Sequence, residues 1–188
     1  MMTGNGIKRI LAIDPFTRGV GFAVFEEGIG LMDWGIKTTG KADNKKAVQV
    51  IEDLIDRFCP DLLALEDWKS SGARRCQRIE VLLNLVANGK WKGLRVRLVT
   101  LREVRRIGPI PDAATKYGRA TIIAERFPEL QAFLPPVRKP WMSENARMSI
   151  FDAVAFAFAC LPDKREIRDM PPGDKPPTTL QGSESEGA

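Results

Sequence analysis

Short apolar runs broken by turn residues open the chain. Residues 8–14 (KRILAID) form one such run, ending in a carboxylate. Residues 19–25 (GVGFAVF) and 31–38 read as second and third strands, with Gly28 and Gly30 punctuating a hairpin between them. The pattern then changes period. Val48, Ile51, Leu54, Ile55 and Phe58 recur at helical spacing across residues 44–58, with Asp43 placed to cap the helix and Pro60 beyond its end. Residues 61–66 (DLLALE) are another apolar run ending in a carboxylate. A helix over 75–88, a strand over 94–99 and a short helix opened by the capping-box pair Thr100 and Glu103 follow. Residues 115–127 predict a further helix. After the Pro-rich connector 134–140, a last helix is predicted over 144–160, with Ser143 as N-cap and Pro162 past its end. Hairpin strands, then βαβ-type units, then helices predict an α/β domain. The crossover through helix 44–58 is long enough to make strands 8–14 and 61–66 parallel.

The 188 residues divide into one domain, 1–162, and a tail, 163–188. The tail is rich in Pro, Ser, Gly and acids, has little that can pack, and is expected to be disordered. It carries four basic against six acidic side chains, a net −2, so the domain carries +7 against +5 for the whole chain. No apolar run approaches the ~20 residues of a membrane span. The start, MMTGNGIKRI, lacks the apolar core of a secretory signal, so a cytoplasmic location is expected. There is no histidine, which excludes Ser-His-Asp triads, Cys-His dyads and imidazole-held zinc. Cys59, Cys76 and Cys160 are too few and too scattered for a disulfide framework or a four-cysteine metal site, and read as buried or inert thiols.

Hydrolytic chemistry in such a chain falls to carboxylates, hydroxyls, lysines or a carboxylate-held metal. Three acids sit where acids are expensive. Asp14 closes one apolar run, Glu66 closes another, and Asp152 lies inside the apolar helix sequence SIFDAVAF. A lone acid at a strand end is ordinarily a solvated cap or a salt-bridge partner. With the two strands parallel neighbours, however, Asp14 and Glu66 fall together at their carboxyl ends, where open α/β sheets place their sites. Buried like charges need a counter-charge. Oxygen donors without histidine favour Mg²⁺, or Mn²⁺, as that charge.

Ile13-Asp14-Pro15 followed by Gly19 and Gly21, Leu65-Glu66 at a fourth strand's end, and Asp152-Ala153-Val154-Ala155 in a C-terminal helix together resemble, in order and spacing, the motifs of RuvC-type Holliday-junction resolvases. The resemblance spans residues 8–161. It implies an α/β fold of the ribonuclease H-like kind, with a five-stranded mixed sheet flanked by helices. It also implies a homodimer and metal-dependent nicking of branched DNA such as a four-way junction. The implied mechanism is two-metal, in-line phosphodiester hydrolysis, with Asp14 bridging the ions and Glu66 and Asp152 each leaning to one. The chain departs from the family at Phe16, where glycine is usual, and at Ser149, where an acid or histidine is common. On the predicted helix, Asn145 and Ser149 lie near the face of Asp152, so either is a candidate further oxygen ligand, with Glu144 farther round.

Residues 90–119 hold Lys90, Lys92, Arg95, Arg97, Arg102, Arg105, Arg106, Lys116 and Arg119 against only Glu103 and Asp112. This is either a phosphate-tracking surface or a solvated basic exterior. The resemblance makes Lys116 the catalytic lysine that meets the scissile phosphate; Arg105 and Arg106 would grip more distant phosphates, with Arg119 in the same set. Arg74, Arg75 and Arg78 open the helix after Glu66, close to the proposed site, and are further candidates for binding nucleic acid. Trp68 is either a wedge that stacks on an opened junction, as in the resolvases, or a core residue over the strand end. Trp34, Trp91 and Trp141 read as packing residues. Helix 75–88 needs only Ile79, Leu82, Leu83 and Val86 for one core stripe; Val81 and Leu85 widen it, which predicts a second buried side against a partner copy.

Two alternatives share the fold. A YqgF-like nuclease would prefer RNA, and a non-catalytic nucleic-acid-binding module would use the surface without the chemistry. An actin-like sugar kinase needs two lobes, for which 188 residues are too few.

Overall fold

Two buried strands, each carrying an acid in an apolar run, lie side by side inside one sheet. They are β1 (Arg9–Phe16) and β4 (Leu62–Glu66), paired in parallel, with β2 (Gly19–Glu26) and β3 (Gly30–Thr38) continuing antiparallel on one side and β5 (Arg95–Val99) parallel on the other. The order is β3-β2-β1-β4-β5. The computed structural model describes residues 7–40, 43–70, 76–89, 91–105 and 115–161. Lys90, Arg74, Arg75, Arg106, the predicted 163–188 tail and the domain boundary at 162 lie outside the described residues.

β1 and β4 are buried on both sides, which is why they read as unbroken apolar runs rather than alternating ones. On one face, α1 (Asn44–Phe58) and α2 (Gln77–Ala87) enclose Leu11, Ile13, Leu63 and Leu65. On the other lie α3 (Leu101–Val104), α4 (Lys116–Arg126), a 3₁₀ turn (Pro128–Phe133) and α5 (Met148–Cys160), which enclose Ile10, Ala12, Ala23 and Ala64. The small residues belong to this second face. Ala12, Ala23 and Ala64 on the sheet and Ala153, Ala155 and Ala157 on α5 let helix and sheet approach closely. Nearly every side chain of α5 is buried, as a helix apolar all round must be. Among the described residues, no helix is long and apolar enough to cross a membrane.

Local signals match the sequence at several points. Asp43 accepts from the Lys46 amide at 2.8 Å, and Thr100 and Glu103 form the full capping box. Gly28 and Gly30 both take positive φ (79° and 96°) in the β2–β3 turn. Asp61 accepts from the amides of Lys8 and Arg9, pinning the start of β1 beside β4.

Two expectations need correction. The last helix begins at Met148 and not at residue 144. Asn145 Oδ1 accepts from the Arg147 amide at 3.0 Å, a side-chain turn that competes with helical pairing and delays it. Asn145 therefore precedes the helix and does not share its face with Asp152. The cysteines differ as well. Cys160 is buried and burial pushes its thiol up to about 11, but Cys59 and Cys76 are exposed.

Gly21 is the tightest contact between sheet and helix. A Cβ there would lie 2.2 Å from Ser149 Oγ and 2.6 Å from the Ser149 carbonyl carbon. Backbone cannot yield as a flexible side chain would. Gly21→Ala is expected to destabilise the protein by about 2–3 kcal/mol, lowering Tm by roughly 5–10 °C in thermal unfolding followed by circular dichroism. A Tm within about 1 °C of wild type would show that α5 does not seat where described.

Candidate active site

Side chains alternate across a strand, so Asp14 and Glu66 share the α5 face with Ala12 and Ala64. Ile13 pairs with Leu65 in the parallel ladder, so the two acids stand one step further along, at neighbouring positions roughly 5 Å apart along the backbone. Across the antiparallel ladder Asp14 faces Gly21, whose missing side chain admits Ser149 at the first turn of α5. One turn further on is Asp152, the only charged residue of the helix. All three carboxylates are buried, at 4%, 3% and 6% exposure. The structure thus brings acids from β1, β4 and α5 to one face and one end of the sheet.

The positive charge these acids require comes from the chain itself. Lys116, at the first turn of α4, places its ammonium 2.7 Å from Asp152 Oδ2 and 2.5 Å from Glu144 Oε1. Burial pulls its pKa down, but the charges of Asp152 and Asp14, with hydrogen bonds to Asp152 and Glu144, outweigh it and hold the lysine above its ordinary value. Arg119, one turn along α4, is buried at 6% exposure. Its desolvation and the nearby Arg105 lower its pKa, while the charge of Asp152 opposes them. Arg119 therefore supports Asp152 from inside and does not present a guanidinium to an outer phosphate.

Asp14 and Lys116 open onto a cleft of about 500 Å³. One wall is the turn from Pro15 to Arg18; the other is the segment from Ser143 to Ala146, with Ser149. The side chain of Arg78, on α2, donates to the Thr17 carbonyl and holds the first wall in place. Asn145 and Ser149 both line the cleft, although Ser149 Oγ donates to the Ala146 carbonyl at 2.6 Å. Sequence reasoning passed over Arg18, which lines the cleft in the turn following the Asp-Pro pair. It also missed Glu144 as the partner of Lys116, which only the fold reveals, because 28 residues separate them.

Trp68 is buried at 8% in the α1–α2 core, on the sheet face opposite the carboxylates. It covers the strand end and does not offer a surface for stacking. Arg105 is exposed beyond the end of α3.

A divalent ion suits this donor set in kind: three buried carboxylates with a lysine ammonium standing in as counter-charge. The placement suits it less completely. Among the described residues, no three acidic or cysteine side chains gather closely enough to hold an ion. Carboxylates and ammonium are thus arranged as an ion-pair network.

No protein-family model matches the chain, and no curated protein matches its sequence. Solved structures do match. RuvC of Thermus thermophilus in complex with a Holliday-junction substrate superposes with a TM-score of 0.54 at 17% identity, covering 81% of this chain and 91% of that one. A second structure of Thermus thermophilus RuvC gives 0.52 at 18% identity, over 80% and 92%. The five-stranded mixed sheet flanked by helices is accordingly the ribonuclease H-like fold of these proteins.

Proposed function

We propose that this protein is an endonuclease that nicks branched DNA, with a four-way junction as its substrate and Mg²⁺ or Mn²⁺ as its cofactor. The observation that carries the reading is the convergence of Asp14, Glu66 and Asp152 on one buried end of the sheet, next to an open cleft with a lysine at its rim. The solved structure of the same fold that holds a Holliday junction supplies the substrate class.

Asp14, Glu66 and Asp152 are the residues that would hold the ion. When bound, a divalent ion supplies charge that lowers the pKa of water and stabilises a phosphate under attack. The chain's own groups do the rest. Lys116 is 43% exposed and exchanges Asp152 for a non-bridging oxygen of the scissile phosphate. Asn145 and Ser149 add neutral oxygens to the cleft wall. Glu144 holds the ammonium at the rim when no phosphate is present. Arg78 keeps the Pro15–Arg18 wall in place, Arg74 and Arg75 bind nucleic acid close to the site, and Arg105 and Arg106 supply phosphate contacts away from the cut.

A junction has two strands to cut, and a C₂ dimer presents two sites to it. On α2 the predicted core stripe is buried, while Val81 and Leu85, one turn apart, are 44% and 52% exposed. We assign that ridge to a second copy. Light scattering is expected to give twice the chain mass, and Val81→Glu with Leu85→Glu to give a monomer; a wild-type monomer at about 10 µM would remove the dimer.

The second reading, a junction-binding module without chemistry, is favoured by the lack of three gathered ligand side chains among the described residues. One experiment separates the readings. End-labelled four-way junction, flap, duplex and RNA hairpin are incubated with the protein in Mg²⁺, Mn²⁺ or chelator. Symmetric, cation-dependent nicks confined to the junction support the nuclease. Cutting of the RNA hairpin in preference to the junction indicates an RNA-processing enzyme, and tight binding with no cutting indicates the module.

A further inference from the structure

Trp141 is the most exposed of the chain's large apolar side chains among the described residues, at 78%. The packing role expected for it is absent, and its surroundings are those of a binding residue. Pro136 and Pro140 stiffen the connector on which it stands, and Pro135 is buried at the connector's base. The Met142 amide donates to the Lys139 carbonyl at 3.0 Å, and Arg138 Nε donates to the Met142 carbonyl at 2.6 Å, so the turn that displays the indole is closed at both ends. The Lys139 ammonium lies 5.5 Å from the ring centroid.

Two residues later the same segment becomes the cleft wall at Ser143. Two residues span at most about 7 Å, so the indole stands within one or two nucleotide steps of the cleft mouth.

We propose that Trp141 is a stacking platform for an unpaired nucleobase of the strand whose backbone enters the cleft, with Arg138, Lys139 and Arg147 holding the adjoining phosphates. The inference rests on the nucleic-acid reading of the cleft and adds to it a base-contacting subsite. Charge selects this occupant. Val137 and Met142 are also exposed on the connector, at 67% and 44%, and an apolar protein surface, such as a second copy, is the competing occupant. Between residues 134 and 149, however, there are three cations and a single acid, Glu144, which is already paired with Lys116. Cations interleaved with an exposed aromatic are how single strands are held without sequence preference.

The test uses the full chain, an oligothymidylate of about 12 nucleotides and a blunt duplex of similar length. Trp141→Ala is expected to weaken binding of the oligothymidylate by roughly 5- to 100-fold and to change duplex binding by less than about twofold. Trp141→Phe keeps a stacking ring and is expected to restore most of the affinity. Stacking also quenches indole emission. Wild-type fluorescence should fall on titration with the oligothymidylate, and Trp141→Phe should lose most of that fall, because Trp34 and Trp68 are buried and Trp91 is half-buried against the α1–α2 core, its indole N–H donating to the Val86 carbonyl at 2.8 Å. Unchanged affinity in Trp141→Ala, or equal quenching in Trp141→Phe, overturns the proposal. So does a Trp141→Ala variant whose mass halves in light scattering while its DNA binding persists, since the ring would then belong to a copy interface. If Trp141→Ala is silent while Asp14→Asn still abolishes nicking, the platform alone fails. If the wild type binds neither DNA, the platform and the proposed function fail together.

Discussion

Asp14→Asn is expected to slow junction nicking by roughly 10³-fold or more under single-turnover conditions, with Tm unchanged to within about 2 °C. The side chain is buried, faces the cleft and stands one ladder step from Glu66. Asparagine has the same shape, so packing against Gly21 and Ser149 is kept. What is lost is one unit of negative charge, and with it one of the three ligands proposed for the cation. The substitution also relieves repulsion among three crowded carboxylates, which is why stability does not fall with activity. The paired measurement matters: a dead enzyme with an intact melting curve places the loss in the chemistry. A variant that nicks at the wild-type rate removes Asp14 from the mechanism.

Lys116→Met carries the second large effect, and its sign differs between readouts. Nicking is expected to drop by about 10²-fold or more, because the ammonium at the cleft rim no longer meets the phosphate. Metal-free stability is expected to fall as well. Breaking a fully buried ion pair costs about 3–5 kcal/mol. Lys116 is 43% exposed, so solvent screening reduces this to about 1–2 kcal/mol, or roughly 3–6 °C in Tm. The lysine pKa is raised in the fold, so the pair's contribution is present in full below the ordinary lysine value and fades only as pH climbs through the raised one. The Tm deficit of the variant should therefore stay constant from about pH 6 to pH 9. Added Mg²⁺ should recover more Tm in the variant than in wild type, since the ion replaces the missing ammonium without having to displace it. Equal Mg²⁺ responses in both proteins would show that ion and lysine do not compete.

Much of this site is legible in the amino-acid sequence. An acid that ends an apolar run is visible in sequence, and the parallel pairing of β1 with β4 follows from the length of the connection between them. These put Asp14 beside Glu66 at one end of the sheet, as described. Caps were legible for the same reason: Asp43 and the Thr100–Glu103 pair act within three residues of themselves. The failures share a different cause. Ser143 and Glu144 look like a helix start, yet Asn145 turns its side chain onto the Arg147 amide, and Glu144 bonds to a lysine 28 positions away. Trp68 takes the core one of its two open readings, and Trp141, expected to pack, is exposed. β4 ends at Glu66, after which the chain turns Trp68 into the opposite core, while Trp141 stands exposed on the connector. Arg119 counted as surface charge in a basic run, but its helix turns it inward beside Asp152. In each case the residue type was informative, and the side on which it would end up depended on tertiary packing.

On the proposed function, Asp14, Glu66 and Asp152 act together in binding divalent cation, which takes over from Lys116 as their counter-charge. Mn²⁺ titration followed by the electron paramagnetic resonance of the free ion tests it most directly, on wild type and on Asp14→Asn, Glu66→Gln and Asp152→Asn. Tight binding in wild type, weakened about tenfold or more by each of the three substitutions, is the predicted result. Binding that survives all three, or none in the wild type at millimolar Mn²⁺, would contradict it.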